Sequence, residues 1–351
     1  MKVIHIESGL GNQMLSFCEY LAMRNANPTD DIYIENIIFD IPECNDIICQ
    51  WNGYELERIF GIEAPNIREV FTDVQWRQIM KDIRDSEFWL RNWNYPVHFT
   101  NAFRNAGLDI KNIRGDFETD GSLMAFDRNR KKEWKDYIRG YDVYKYLKMK
   151  KDNFVERCQR HKVDHRPLMF VHSDENLFTG QQLMMKNVNS GIEAIEDEVR
   201  KVFRFPPIND KKNADCIKMI QDCNSVAIHA RRGDMLGYNY NCYRFGYFKR
   251  ATNFIRSKVY NPVFFIFCDP GSVAWAKENS EILGLDFKKD EIHFVDWNKG
   301  QDSYRDMQLM AACKHQVITK SSFGWWGAWL NTNPDKITCS PSYMINTTHT
   351  F

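Results

Sequence analysis

The sequence predicts an α/β protein made of two parallel-sheet halves separated by a cleft. Three observations carry this. From residue 225 onward, short apolar runs alternate with amphipathic helical ones, as parallel strands with covered faces require. The chain opens "KVIHIESGLGNQM", a strand, a glycine turn and a helix start, which reads as the beginning of a βαβ unit. Its 351 residues exceed one typical domain and suggest two.

Taken in order, residues 2–7 form a first strand. Met14, Phe17, Cys18 and Leu21 recur at helical spacing, and "DIYIE" at 31–35 supplies the next strand. Residues 65–190 are rich in charge and aromatics. The basic run at 128–135 reads first as a solvated helical face, with a membrane or partner patch as the lesser reading. "GIEAIEDEVRKVFRF" at 191–205 places Ile192, Ile195, Val199 and Val202 on one side of a helix, and "PPINDKKN" at 206–213 reads as a linker. Strands follow at 225–230, 262–268, 292–296, 315–319 and 336–339, and helices at 246–257, 272–280, 303–313 and 322–330. The expected domains are therefore 1–210, with an α-rich insertion over about 65–190, and 211–351.

Hydrophobic residues make up 43% of the chain, enough for a sizeable core. Lys+Arg and Asp+Glu balance at 47 each, so the charge gives no support to nucleic-acid binding, which depends on neutralising phosphates. The ten cysteines are scattered with no C-x-x-C pair. They read as reduced, buried thiols of a cytoplasmic protein, not as a disulfide or zinc framework. The nine histidines show no H-E-x-x-H spacing. No signal-peptide core and no apolar run of roughly 20 residues is present, so no transmembrane segment is expected and peripheral membrane association stays open. The N-x-T triplet at Asn346 would matter only in a secreted chain.

Several stretches carry chemistry. "SVAIHARRGD" at 225–234 runs from a core strand directly into Arg231 and Arg232. The carboxyl end of an α/β strand is where ligands bind, and Arg231 suits an anion because its fork engages phosphate bidentately. "GLGNQM" is half of a dinucleotide fingerprint: Met14 stands where a third glycine would be, and Glu35 could act as a ribose acid. Gly9 and Gly11 read as turn residues needing positive φ, and Asn12 and Gln13 offer amides to hydroxyls or phosphate oxygens. In "ITKSSFGWWGAWLN" one of Ser321 and Ser322 can cap a helix whose N-terminus suits an anion. Gly324 and Gly327 would allow close backbone approach, and Trp325, Trp326 and Trp329 read as core rather than as a sugar platform. In the helix of "DSYRDMQLMAACKH", Met307, Met310 and Ala311 point inward, and Asp306 serves the helix dipole or accepts from a purine edge. No D-x-D triplet occurs, so a bound diphosphate would be neutralised by protein cations.

"HARRGD", "FCDP" and "NKGQDSYRDMQLMAACKHQVITKSSFGWWGAWLN", with "GLGNQM", "YELERIFGI" at 54–62, "IEDEVRKVFRF" at 195–205 and "YFKRA" at 247–251 in the same order, resemble the bacterial α-1,2-fucosyltransferases of glycosyltransferase family 11. The resemblance is near-continuous from about 190 to 341 and patchy before. It implies a GT-B architecture of two Rossmann-like domains facing a cleft. It also implies GDP-fucose as donor, inversion at the anomeric carbon, no metal or other cofactor, and a galactose-containing glycan such as a bacterial polysaccharide as acceptor. Carried onto this chain, Arg231 would bind the β-phosphate, His229 and Asp306 would lie near the guanine, and Ser321 and Ser322 would hold the pyrophosphate. Asn12 would face fucose and acceptor, with Gly11 beside the donor. The chain departs from the pattern at "FCDPG", which puts Asp269 in doubt, and at "SSFGWW", where Gly324 replaces a serine.

Loss of the leaving GDP builds negative charge, which Arg231 would stabilise. Arg232 takes a lesser role, steering or pairing with Asp234. Asp234 and Glu7 both stand as candidate bases, and the choice stays open. Competing readings are another fucosyl linkage (α-1,6 or protein O-linked), a nicotinamide- or nucleotide-using enzyme, and a non-catalytic nucleotide- or glycan-binding protein.

Overall fold

The computed structural model describes residues 1–44, 52–91, 94–118, 133–159, 175–180, 195–233 and 235–344. The chain divides into two units, Met1–Lys131 with Val163–Arg204 and Lys132–Lys162 with Phe205–Phe351.

In the first unit β1 (Lys2–His5) leads through α1 (Leu10–Ala26) to β2 (Ile32–Glu35). After α2 (Leu56–Phe60), α3 (Asp73–Asp85), α4 (Phe88–Arg91) and α5 (Pro96–Asn105) come β3 (Lys111–Asn112) and β4 (Leu177–Thr179). The four strands are all parallel, in the order β2-β1-β4-β3. Thr72 caps α3 in a capping box with Gln75. The helix then lays Ile79 and Ile83 onto a core with Phe88, Phe99, Phe103 and Phe178. The residue with positive φ at the first turn is Ser8 (φ 65), not a glycine. Gly9 is extended at φ −76 and Gly11 lies inside α1, so the expected turn glycines do not play that part.

The second unit holds α6 (Trp134–Gly140) and α7 (Asp142–Gln159). Between its two stretches the chain returns to the first unit, which holds α8 (Glu196–Val202). The second unit continues with α9 (Lys211–Asp222), β5 (Asn224–Ala230), α10 (Leu236–Arg244), α11 (Tyr247–Lys258), β6 (Pro262–Cys268), α12 (Val273–Glu278), β7 (Glu291–Val295), α13 (Tyr304–Ala312), β8 (His315–Val317), α14 (Ser322–Trp329) and β9 (Thr338–Cys339). Its five strands are parallel, in the order β7-β6-β5-β8-β9. Phe248, Ile255 and Leu283 pack with Val226, Ile228 and Phe264 in one core. Cys216, Ile220, Leu309 and Met310 pack with Ala227, Phe265 and Phe267 in another. Residues of opposite strand parity thus enter two cores, the pattern of a sheet with both faces covered.

Three sequence expectations change here. Residues 132–162 group with the second unit, not with an N-terminal insertion: Asp142 accepts hydrogen bonds from Tyr240 (2.5 Å) and from Arg244 Nε (2.8 Å), and Tyr146 sits edge-on to Phe245. The 206–213 linker is fastened down. Asp210 caps α9, and Arg305 donates to the carbonyls of Pro206 (2.9 Å) and Pro207 (3.1 Å). Ala311 is half-buried while Leu309 takes the inward place beside Met307 and Met310. Ile192, Asn346 and residues 128–132 of the basic run lie outside the described residues. The described cysteines are free thiols, with Cys18, Cys44, Cys216, Cys242 and Cys313 buried and Cys158 exposed. No described helix is long and apolar enough to cross a membrane.

Candidate functional site

In the five-stranded sheet the order reverses between β5 and β8. Ligands of open α/β sheets bind at the carboxyl ends of the strands beside such a reversal. β5 ends into Arg231 and β8 leads through Thr319 and Lys320 to Ser321 and the start of α14, so the sequence-predicted cation and serines share that edge.

Arg231 is fixed in place. Its Nη1 lies 2.7 Å from Asp269 Oδ1, and Asp269 Oδ2 accepts from the Arg232 backbone N–H at 2.6 Å. The register explains the pairing: Ala230 stands opposite Cys268, so the residues that follow each strand meet. Asp269, doubtful in the sequence, is the arginine's orienting partner. The Arg231 carbonyl accepts from Tyr243 (3.0 Å) and Asn239 Nδ2 (3.3 Å), and Asn239 also accepts from the Lys320 N–H at 2.9 Å. Asn239 therefore ties the end of β5 to the segment entering α14. The Arg232 guanidinium lies 3.6 Å from the centre of the Trp275 ring, a cation–π contact. Asp234 lies outside the described residues.

His229 is buried, its Nδ1 3.4 Å from Thr319 Oγ1. Burial, helped by the nearby Arg231 charge, pushes its pKa down to about 3. It is a neutral imidazole, able to hydrogen-bond but not to offset phosphate charge. Gly324 faces it, since a Cβ there would lie 2.3 Å from His229 Nδ1, and Gly327 likewise abuts Met310. Both glycines serve close approach. Ser321 stands at the N-cap of α14 in extended conformation without a side-chain capping bond, so its hydroxyl does not spend itself on the helix as a cap would. Trp325, Trp326 and Trp329 are buried and belong to the core.

Asp306, in the first turn of α13, accepts from Asn298 Nδ2 at 2.8 Å. Asn298 pairs with Asn213, which Asp210 holds. Burial raises the Asp306 pKa to about 7, with Asp296 adding to it. Cys268 at the end of β6 feels Asp269, Asp296 and Asp306 together. The carboxyl edge thus sets the Arg231 guanidinium beside the carboxyl groups of Asp269, Asp296 and Asp306. Lys320 and Asn239 were missed in the sequence, and Asp269 was named there only as doubtful. The lysine that directly precedes the serine pair was a readable signal; the other two become visible only in three dimensions.

In the four-stranded sheet the reversal falls between β1 and β4. His5 Nδ1 lies 2.5 Å from Glu35 Oε2, and its Nε2 lies 2.8 Å from the Tyr95 hydroxyl and 3.7 Å from Glu7. Burial opposes a charge on His5, but Glu35 and Glu7 outweigh it and raise the pKa to about 9. Burial likewise works against the Glu7 charge, and the His5 contacts override it, so its pKa is lowered. Glu7 is therefore a carboxylate at neutral pH and a weaker proton acceptor than an ordinary glutamate. Glu35 is fully buried and committed to His5 and the Ile37 N–H, which leaves no ribose-binding acid there. Gln13 is also committed, donating to the carbonyls of Ser8 (2.8 Å) and Gly53 (2.9 Å) and accepting from the Glu55 N–H (2.9 Å). Asn12, the other amide, is half-buried at the start of α1. Among the described residues no group of three or more His, Cys, Asp or Glu could hold a metal ion.

Residues 193–348, which carry every element of the β5–β8 site, match the sequence family described as Glycosyl transferase family 11. An Escherichia coli α-1,2-colitosyltransferase is 31% identical over 155 residues, 42% of this chain and 50% of that protein. Galactoside α-(1,2)-fucosyltransferase 1 of Saimiri sciureus is 27% identical over 110 residues, 30% of this chain and 28% of that protein. The chain thus spans half or less of the length of these relatives. A solved α-1,6-fucosyltransferase, NodZ, crystallised with GDP, aligns with 93% of this chain and 91% of its own at 10% identity and a TM-score of 0.39.

Proposed function

We propose that this protein is a galactoside α-1,2-fucosyltransferase that takes L-fucose from GDP-fucose and inverts the anomeric centre without a metal. The observation that carries the reading is Arg231, held by Asp269 at 2.7 Å at the sheet reversal inside the family-matched region. A nucleoside diphosphate fits the groups of that edge: the diphosphate faces Arg231 and the Ser321–Ser322 start of α14, and the N–H groups of guanine face Asp306.

In the reaction the bond from the anomeric carbon to the β-phosphate oxygen breaks, and the acceptor 2-hydroxyl forms the new one. Negative charge grows on the departing GDP, and a guanidinium already oriented by Asp269 meets it without reorganising, which favours the transition state over the ground state. Asn12 is the residue assigned to the sugar and acceptor. The hydroxyl proton passes to a base that stays open between Asp234 and Glu7, the latter disfavoured by its lowered pKa.

The name of the 31% identical relative favours a second donor reading, a colitosyl group. The deciding experiment measures GDP release with EDTA present, from GDP-fucose and GDP-colitose, across lactose and type-1 and type-2 disaccharides. A 2-O-fucosylated product supports the proposal, a colitosyl product only moves the donor, and no acceptor-dependent release with any pair refutes it. Arg231→Ala is expected to lower the rate at least ~10²-fold. Arg231→Lys is expected not to restore it, because a point charge cannot replace the fork.

A further inference from the structure

The α6–α7 segment is amphipathic in the wrong sense for a helix that covers a protein core. On α7 the less exposed positions are Asp142, Lys145, Met149, Asp152, Asn153 and Glu156, which recur at helical spacing. That polar stripe is fastened to the second unit by Asp142 with Tyr240 and Arg244, and by Lys145, whose Nζ lies 3.9 Å from the centre of the Tyr240 ring. The opposite stripe holds Val143 (71% exposed), Leu147 (61%) and Phe154 (68%). Trp134, Tyr137 and Tyr141, in and just after α6, are each more than 60% exposed. A helix normally buries its apolar stripe, and an exposed patch of this kind marks an interaction surface.

Charge separates the same way. Six cations of the segment are exposed, Lys135, Arg139, Lys148, Lys150, Lys151 and Arg157, against one exposed carboxylate, Glu133. Lys148 and Arg139 also pair with Asp152 and Asp136 in the segment. We propose that the outward face of α6 and α7 is a docking surface for an anionic lipid bilayer. Tryptophan and tyrosine beside lysines are the groups that settle at the boundary between headgroups and acyl chains. The cations match anionic headgroups, while the apolar stripe would find nothing to enter on a soluble polyanion. A second copy presenting the same face would bring like charges together.

The test is co-flotation of the full chain with vesicles of phosphatidylcholine alone, or of phosphatidylcholine with a minority of phosphatidylglycerol. It needs no transferase activity and so stands apart from the proposed reaction. The protein is expected to float with the phosphatidylglycerol vesicles, to be released by high salt and to stay behind with phosphatidylcholine alone. Lys150→Glu with Lys151→Glu should weaken partitioning at least about 25-fold, from about fivefold per lysine near the surface. Leu147→Ser with Phe154→Ser should weaken it at least about tenfold. Both pairs are exposed, so urea midpoints should stay at the wild-type value. The proposal is overturned if the wild type fails to float, if it binds both vesicles equally, or if either double variant still binds like wild type. Self-association of the wild type that Leu147→Ser with Phe154→Ser abolishes, without vesicle binding, would give the face to a second copy instead.

Discussion

Replacing Gly324 by alanine tests the link between α14 and β5. An added Cβ would lie 2.3 Å from His229 Nδ1, 3.0 Å from Cγ and 3.1 Å from Cε1. Ordinary heavy-atom contacts lie near 3.5–4.0 Å, so the ring or the helix must move by about 1 Å. His229 is only 5% exposed and has Thr319 and Phe323 beside it, so the displacement meets packed atoms. Overpacking of this kind costs about 1–3 kcal/mol. Alanine returns up to about 1 kcal/mol of helix propensity, less so in a first turn, so the net loss should be about 1–2 kcal/mol. Urea unfolding of Gly324→Ala, His229→Ala and the double variant separates these terms. With the ring gone, Gly324→Ala should be neutral or stabilising, giving a coupling of about 1–3 kcal/mol. Additivity within about 0.5 kcal/mol would show that the ring is not what Gly324 accommodates. GDP affinity measured on the same proteins should fall with Gly324→Ala, because the residues displaced adjoin the proposed donor site.

Asp306 must be a carboxylate to accept from guanine, and its pKa of about 7 places that requirement in the neutral range. GDP-fucose affinity without acceptor should therefore fall about tenfold for each pH unit below 7, and calorimetry on Asp306→Asn should show a weak but flat profile. His5 has a folded pKa of about 9 against an ordinary 6.5, so its stabilising contribution is fully present below 6.5 and disappears as pH rises through 9; the urea midpoint should drop over that window in the wild type and less in His5→Gln. His5→Ala leaves the buried Glu35 carboxylate unpaired and should cost about 3–5 kcal/mol, read by the same unfolding. Gln13→Ala strips partners from three backbone groups and should cost about 2–4 kcal/mol while leaving the β5–β8 edge unaltered in GDP binding.

The strands at 225–230 and 262–268 were legible because both of their faces are buried, which makes their runs almost wholly apolar. Helices of the same sheet were harder. "KKNADCIKMIQD" is mostly polar and follows two prolines, so the start of α9 reads as linker and the rest goes unassigned until Asp210 is seen to cap the helix. "LGYNYNCYR" carries asparagines and tyrosines with little helix preference, and α10 goes unseen although its Asn239 braces the site. The Asp269 pairing depends on strand register, which hydrophobic pattern does not specify across distant segments. Periodicity also told nothing of Ser8, whose positive φ is held among residues that glycines seemed to explain better. For α7 the pattern misleads outright, since its apolar stripe is the side turned away from the protein.

The cysteines have a practical consequence. Cys18, Cys44, Cys216, Cys242 and Cys313 are shielded, and burial pushes their thiols up, which keeps them protonated and slow toward electrophiles. Cys158, near the end of α7, is exposed. Among the described residues a maleimide dye therefore has one readily accessible handle, on the helix whose outer side carries Leu147 and Phe154. A fluorophore attached there would report polarity and quenching at that face with the native sequence intact.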